Sequence, residues 1–149
     1  MKSVTYIDDY KKWKEEFSFY TSIRVRFSET DMFGHVNNVS PFIYFEQARI
    51  EFLKEAGLFT DLNDANVTGI PIVADLQCDF HQQMFFDDEI KIYVKVNHIG
   101  TTSLDIHYMS VNGNNDVCLT GRGRMVYVHA KTGKPLPLSD QMKEQLERT

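Results

Sequence analysis

The sequence predicts an α+β fold, with one long helix covering one face of a mostly antiparallel five-stranded sheet. Three observations carry this prediction. Pro41 to Ala56 has apolar residues at helical spacing and is bounded by a proline and a glycine. After Pro71 the apolar period changes to two and keeps that value to Val128. Between two of the alternating runs lies NGNN, Asn112 to Asn115, whose residues tolerate the positive φ of a hairpin turn.

The chain opens with Ile7 to Phe17, where Tyr10, Trp13 and Phe17 recur at helical spacing, so residues 1–20 are expected to form a helical extension. Ile23 to Phe27 alternates apolar residues with Arg24 and Arg26 and reads as the first strand. The long helix follows, with Ser40 as N-cap, Pro41 in the first position, where no amide donor is needed, and Gly57 as terminator. At 1.5 Å per residue it spans about 24 Å, enough to cross several strands. Leu58 to Gly69 reads as a loop.

Of the later strands, the first puts Ile72, Ala74, Leu76, Cys78 and Phe80 on one face. The second does the same with Ile90, Ile92, Val94 and Val96. Leu104 to Val111 and Val117 to Val128 supply two more. Gly121 and Gly123 share a face of the last strand, where glycine fits a close approach or a bend. Ser139 is expected to cap a helix reaching Arg148, so that residues 139–149 close a single domain, 1–149.

A chain of 149 residues is long enough to bury a real core. Its formal net charge of −5 comes from acidic and basic residues mixed along the chain, which argues against a nucleic-acid partner. A few local Lys or Arg residues still suffice to hold an anionic small ligand. No stretch approaches the apolar length of a membrane span, and Met1 to Tyr20 lacks the apolar core of a signal peptide. No membrane partner and a cytoplasmic location are therefore expected. Cys78 and Cys118 fall in strand-like runs and are read as reduced and buried. His81, His98, His107 and His129 lie on separate strands without ligand spacing, so neither a metal nor a cofactor is expected.

Placing the helix at 100° per residue puts Phe42, Phe45, Phe52, Leu53 and Ala56 on its apolar side. Tyr44, Gln47, Glu51, Lys54 and Glu55 then face solvent. Glu46 and Arg49 fall among the apolar residues, three apart, and can pair. Two readings are open: a buried ion pair that fixes the helix, or Glu46 as an acid or base in a pocket.

Ahead of the helix runs TDMFGHVNN, Thr30 to Asn38. As an ordinary loop, its Asp, Gly and Asn are turn formers and His35 is a surface residue. Met32, Phe33 and Val36 are apolar, however, and are expected to hold the loop against the core. That would fix the Asp31 carboxylate and the His35 imidazole beside free amides at a helix N-terminus, a set suited to acyl transfer.

TDMFGHVNN followed by FEQARIEFL strongly resembles the hotdog-fold acyl-CoA thioesterases of the 4-hydroxybenzoyl-CoA thioesterase type. These carry a strand, an Asp-x-x-Gly-His/Ile/Val-Val loop and a helix reading like YFEQAR. IGTTS, Ile99 to Ser103, and GKPLPL, Gly133 to Leu138, match weaker signatures, so the resemblance runs from about Ser22 to Leu138. The loop is also similar to that of plant acyl-ACP thioesterases, Asp-x-Asn-x-His-Val-Asn-Asn, although Phe33 stands where those have a catalytic Asn. HQQMFFDDE, His81 to Glu89, lacks the Pro and Gly usual in the acyl-CoA group.

The resemblance implies a hotdog fold, with the sheet wrapped around the helix, and hydrolysis of an acyl-CoA to a free acid and CoA. Acyl-ACP is the alternative substrate. Asp31 is implied as nucleophile or as general base, His35 as its orienter or a thioester contact, and Gly34 as the residue that lets the backbone turn. The amides of Asn38 and Val39 would form the oxyanion hole, and Thr102 and Ser103 would help bind substrate. Glu46 and Arg49 would lie near the site. A homodimer joined edge to edge is implied, with a homotetramer as its pairing. Arg122, Arg124 and Lys95 are candidates for meeting the CoA phosphates.

Other chemistries fit less well. No Gly-x-Ser-x-Gly elbow supports a serine hydrolase. A dehydratase of the same fold expects its histidine on the helix and an acid on an adjacent strand, whereas His35 precedes the helix. A non-catalytic module that binds acyl thioesters remains the competing class.

Overall fold

The computed structural model describes residues 2–58 and 63–149. Its elements are α1 (Tyr10–Glu15), β1 (Phe19–Arg24), α2 (Ser40–Glu55), β2 (Gly69–Phe80), β3 (Glu89–Ile99), β4 (Ser103–Val111), β5 (Val117–His129) and α3 (Asp140–Arg148). The strands form one five-stranded sheet in the order β1-β3-β4-β5-β2. Every neighbouring pair is antiparallel. The expected hairpin joins β4 to β5, with Asn115 at φ 63° and its amide donating to the Asn112 carbonyl at 3.0 Å. Ser139 caps α3 as expected, its Oγ accepting from the Met142 amide at 3.2 Å. Part of the expected loop after α2, residues 59–62, lies outside the described residues.

β4 shows how the layers are built. Ile106 and Tyr108 face α2, and His107, Met109 and Val111 face the opposite layer, so the strand is buried on both sides. On the α2 side the Phe45 ring stacks on Tyr108, with centroids 4.5 Å apart. A Cβ added to Gly121 would stand 2.5 Å from Phe45, so glycine lets the helix come this close to the sheet. On the other side Trp13 packs with Met109 and Val111, flanked by Ile7, Tyr10 and Phe17, in a second, smaller core.

Several expectations need correction. The helical extension ends before Phe19, because Phe19, Thr21 and Ile23 already alternate inward and pair with β3. Phe27 is not in the first strand but begins a 3-10 turn, Phe27–Glu29, closed by hydrogen bonds between Arg26 and Glu29. β2 does not keep one face inward, since a bulge between Val73 and Asp75 shifts its register. Tyr44 is buried rather than solvent-facing. The buried stripe of α2 runs through Pro41, Tyr44, Phe45, Ala48, Arg49, Phe52 and Leu53, which leaves Glu46 on its exposed flank. Ser40 is not the capping side chain. Asn37 Oδ1 takes that role, accepting from the amides of Val39 at 3.1 Å and Ser40 at 2.8 Å.

Cys78 is half-buried and Cys118 buried, and both are free. Burial pushes their thiols up, to about 12 and about 11.

Candidate active site

The loop before α2 is anchored at Glu29. This buried carboxylate accepts from the Arg26 amide at 2.8 Å and from the Tyr44 hydroxyl at 2.9 Å through Oε1, and from Arg26 Nη2 at 3.1 Å through Oε2. Burial works to raise its pKa, but these hydrogen bonds and the guanidinium charge outweigh it and hold the group below the usual carboxylate range. Burial pushes the Tyr44 hydroxyl up, and the Glu29 carboxylate beside it adds to the shift. Glu29 therefore ties the loop entrance to the helix.

Beyond Glu29 the chain folds back on itself. The Asp31 amide donates to the His35 carbonyl at 2.8 Å, and Gly34 returns a bond to the Asp31 carbonyl at 3.1 Å with φ at +79°. Asp31 Oδ1 accepts from the Phe33 amide at 2.8 Å and the His35 amide at 3.2 Å. Oδ2 has no hydrogen-bond partner among the described residues. The far side of the turn is fixed by Val36, whose amide donates to the Met84 carbonyl at 2.8 Å, and by Asn37, whose amide donates to the Glu29 carbonyl at 2.8 Å.

This scaffold differs from the expected one. Met32 is 91% exposed and Phe33 74% exposed, so neither holds the loop against the core. Val36 alone of the three packs there. Backbone hydrogen bonds do what apolar side chains were expected to do. The His35 ring does not bond Asp31 either; it packs between Phe33 and Phe85, 6.4 and 5.3 Å away.

At the start of α2, the Val39 amide is already taken by Asn37 Oδ1, so the expected oxyanion pair is reduced. The Asn38 amide has no acceptor among the described residues and remains available at a helix N-terminus, where partial positive charge favours an anion.

Other expected residues are elsewhere. Thr102 and Ser103 lie beyond the far end of β3, an 11-residue strand that begins near the loop. At the usual rise this puts them on the order of 30 Å from Asp31 within one subunit. The Glu46–Arg49 pair does not form: Glu46 is exposed, and buried Arg49 donates from Nη1 to the Tyr108 hydroxyl at 3.1 Å. Lys95 is buried against Glu16, and Arg122 binds Asp105 and Asp75, so neither is an open phosphate contact. Arg124 stays exposed. Among the described residues no cluster of three His, Cys, Asp or Glu side chains could hold a metal.

Sequence reasoning missed Glu29 and Tyr44. Their signal was the Arg26-to-Glu29 spacing, which matches a turn closed by its own ends, and the place of Tyr44 one turn before Ala48.

The sequence model of the thioesterase-like superfamily matches residues 25–146. An uncharacterized Bacillus subtilis protein, YsmA, is 43% identical over 150 residues, which cover 100% of this chain and 99% of that protein. Among solved structures, a predicted thioesterase from Bacillus stearothermophilus is 32% identical with a TM-score of 0.76, over 87% of this chain and 94% of that one. A thioesterase from Thermus thermophilus, complexed with coenzyme A and Zn, is 26% identical with a TM-score of 0.73, over 87% and 92% of the two chains.

Proposed function

The chain belongs to the thioesterase-like superfamily, and from that membership we propose that this hotdog-fold protein hydrolyses an acyl-CoA to a carboxylic acid and free CoA. The observation that carries the reading is Asp31. Its Oδ1 is pinned by two backbone amides while Oδ2 has no hydrogen-bond partner among the described residues, and the Asn38 amide lies on the same short loop at the N-terminus of α2.

Two routes use this arrangement. Attack by Oδ2 on the thioester carbon would give a mixed anhydride and release the CoA thiolate, and water would then open the anhydride. Alternatively, Oδ2 takes a proton from water as the water oxygen bonds to the carbonyl carbon. The proton passes to the departing sulfur as the C–S bond breaks. In both routes the carbonyl oxygen gains charge, which the Asn38 amide and the helix terminus stabilise. Coenzyme A as the carrier is supported by the Thermus thermophilus relative, with an acyl-ACP as the alternative.

The reading includes a homodimer. β2 is an edge strand with Ile72 and Val73 exposed, an unpaired row of backbone groups beside apolar side chains. A second copy would cover it and could bring groups such as Thr102 and Ser103 to a site that one subunit leaves incomplete.

The test is release of free thiol from short, medium, long and aromatic acyl-CoAs by the purified protein. Turnover of any of them supports the hydrolase. Binding across the panel without turnover would favour the non-catalytic module.

A further inference from the structure

Residues 2–17 precede the stretch that the family model matches and form a strap on the sheet face opposite α2. A polar tie holds the strap at each strand it meets. The Tyr6 hydroxyl stands 3.0 Å from Asp79 Oδ2 on β2 and 2.9 Å from Thr120 Oγ1 on β5. Having one proton, Tyr6 donates it to the carboxylate and accepts from Thr120. Thr120 Oγ1 accepts in turn from Nε2 of His81, 2.8 Å away. Farther along, Trp13 binds His107 on β4, and Glu16 pairs with Lys95 on β3. Ile7, Tyr10, Trp13 and Phe17 pack with Met109 and Val111 between these ties. The outer side of the strap is charged, with Asp8, Asp9, Lys11, Lys12, Lys14 and Glu15 all exposed. An apolar patch is thereby exchanged for a hydrated one.

The rest of this face is closed by charge. Arg122 pairs with Asp105 at 2.7 Å and with Asp75 at 3.1 Å, and exposed Arg124 follows two residues along β5. A sheet laid over them would strip water from charges that already have partners. We infer that residues 2–17 are a built-in cap that closes this face to pairing with a second copy of the chain and confines self-association to other surfaces, the strand edges among them. Stacked sheets approach to about 10 Å. A helix is about that thick itself, so a seated α1 holds a second sheet away from Met109 and Val111. A homotetramer made by stacking these faces is therefore excluded. With the strap lifted, Met109, Val111, Tyr93 and Val117 become an apolar patch that fits the same patch of another copy. The cap acts in this way whether or not the chain hydrolyses a thioester.

Trp13 is the only tryptophan in the chain, so its fluorescence reports whether the strap is seated. Sedimentation equilibrium at micromolar concentration compares four full-length proteins: wild type, an Ile7→Asp plus Tyr10→Asp variant, Gln77→Lys and Arg124→Glu. Circular dichroism checks that each is folded. Gln77 is exposed on this face, its side chain bonding Asp79 at 3.0 Å. Wild type should show the blue emission of a buried indole and form no assembly that either face variant, Gln77→Lys or Arg124→Glu, breaks. In the strap variant the emission should move to the red and the mass should rise to about twice that of wild type or more. A red shift with unchanged mass in a folded protein overturns the cap, and emission unmoved by both charges overturns the seat it rests on. A wild-type tetramer that either face variant splits into dimers overturns it as well. That comparison of wild type with the face variants decides alone if the strap variant does not fold.

Discussion

Trp13 donates its indole N–H to Nδ1 of His107, 2.8 Å away and 94 residues along the chain. Because Nδ1 accepts, Nε2 must carry the ring proton, and it faces Asp105 Oδ2 at 3.0 Å. Asp105 Oδ1 in turn accepts from Arg122 at 2.7 Å. This chain of bonds fastens α1, which lies outside the residues matched by the family, to the sheet face opposite α2. Trp13→Phe keeps a large ring but leaves His107 Nδ1 buried without a donor. It should destabilise the protein by about 1–3 kcal/mol in denaturant titrations. A change below about 0.5 kcal/mol would mean that the bond contributes nothing.

The same pair gives the stability a pH dependence. Burial lowers the His107 pKa to about 4 against the opposing pull of Asp105, with Lys95 and Arg122 adding to the lowering. The unfolded chain binds this proton near 6.5 and the folded chain near 4, so between those values the unfolded state holds more protons. Stability should therefore fall as pH drops from 6.5 towards 4. Glu29 acts in the same direction below its ordinary carboxylate range. Melting temperatures at pH 7 and pH 5 should differ more for wild type than for His107→Gln. Equal differences would remove His107 as the cause.

Arg49 and Glu46 separate by burial. Arg49→Leu leaves the buried Tyr108 hydroxyl without its partner and should cost about 1–3 kcal/mol. Glu46→Gln alters an exposed side chain and should change stability by less than about 0.5 kcal/mol. Thermal unfolding of both variants checks this, and a large loss in Glu46→Gln alone would restore the ion pair.

The architecture was legible because local periodicity and global packing agree: the α2 period, the alternating strands and the Asn112–Asn115 turn all point to one layered fold. Gly121 was legible too, since a strand glycine asks for a close neighbour, and Phe45 is that neighbour. Pairings between distant residues were not. Trp13 with His107 and Tyr44 with Glu29 are set by how α1 packs on β4 and how α2 packs on the turn at Phe27–Glu29, and neither Trp13 nor Tyr44 carries a local sign of its partner. Arg49 misled because a partner three residues away is available in sequence, whereas packing offers it the Tyr108 hydroxyl. In the candidate site Asp31 stood out by its neighbours. How the loop is held did not, because backbone bonds to Met84 and Glu29 depend on the fold rather than on side-chain type.

The proposed dimer rests on the open edge at β2. On the sheet face opposite α2, α1 and its flanking residues cover Met109 and Val111, whereas the β2 edge is open, with Ile72 and Val73 exposed. Sedimentation at micromolar concentration should give a dimer. Val73→Lys on that edge should shift it towards monomer and lower activity together. A wild-type monomer with full activity would contradict the edge-to-edge arrangement.

Asp31→Asn tests the site most directly. The amide oxygen of Asn can still accept from the Phe33 and His35 amides, so the turn keeps its shape and the melting temperature should hardly move. What disappears is the charged second oxygen, which is both the nucleophile and the base of the two routes. Rate should therefore fall by roughly a hundredfold or more in kcat, with affinity for a non-hydrolysable thioether nearly unchanged. His35→Ala should cost less, because its ring packs between Phe33 and Phe85 without bonding Asp31, and its backbone amide survives the substitution. Steady-state hydrolysis of the best acyl-CoA by wild type and both variants makes the comparison. Asp31→Asn turning over near the wild-type rate would move the chemistry elsewhere. A lowered melting temperature in Asp31→Asn would instead show that the second oxygen holds the loop.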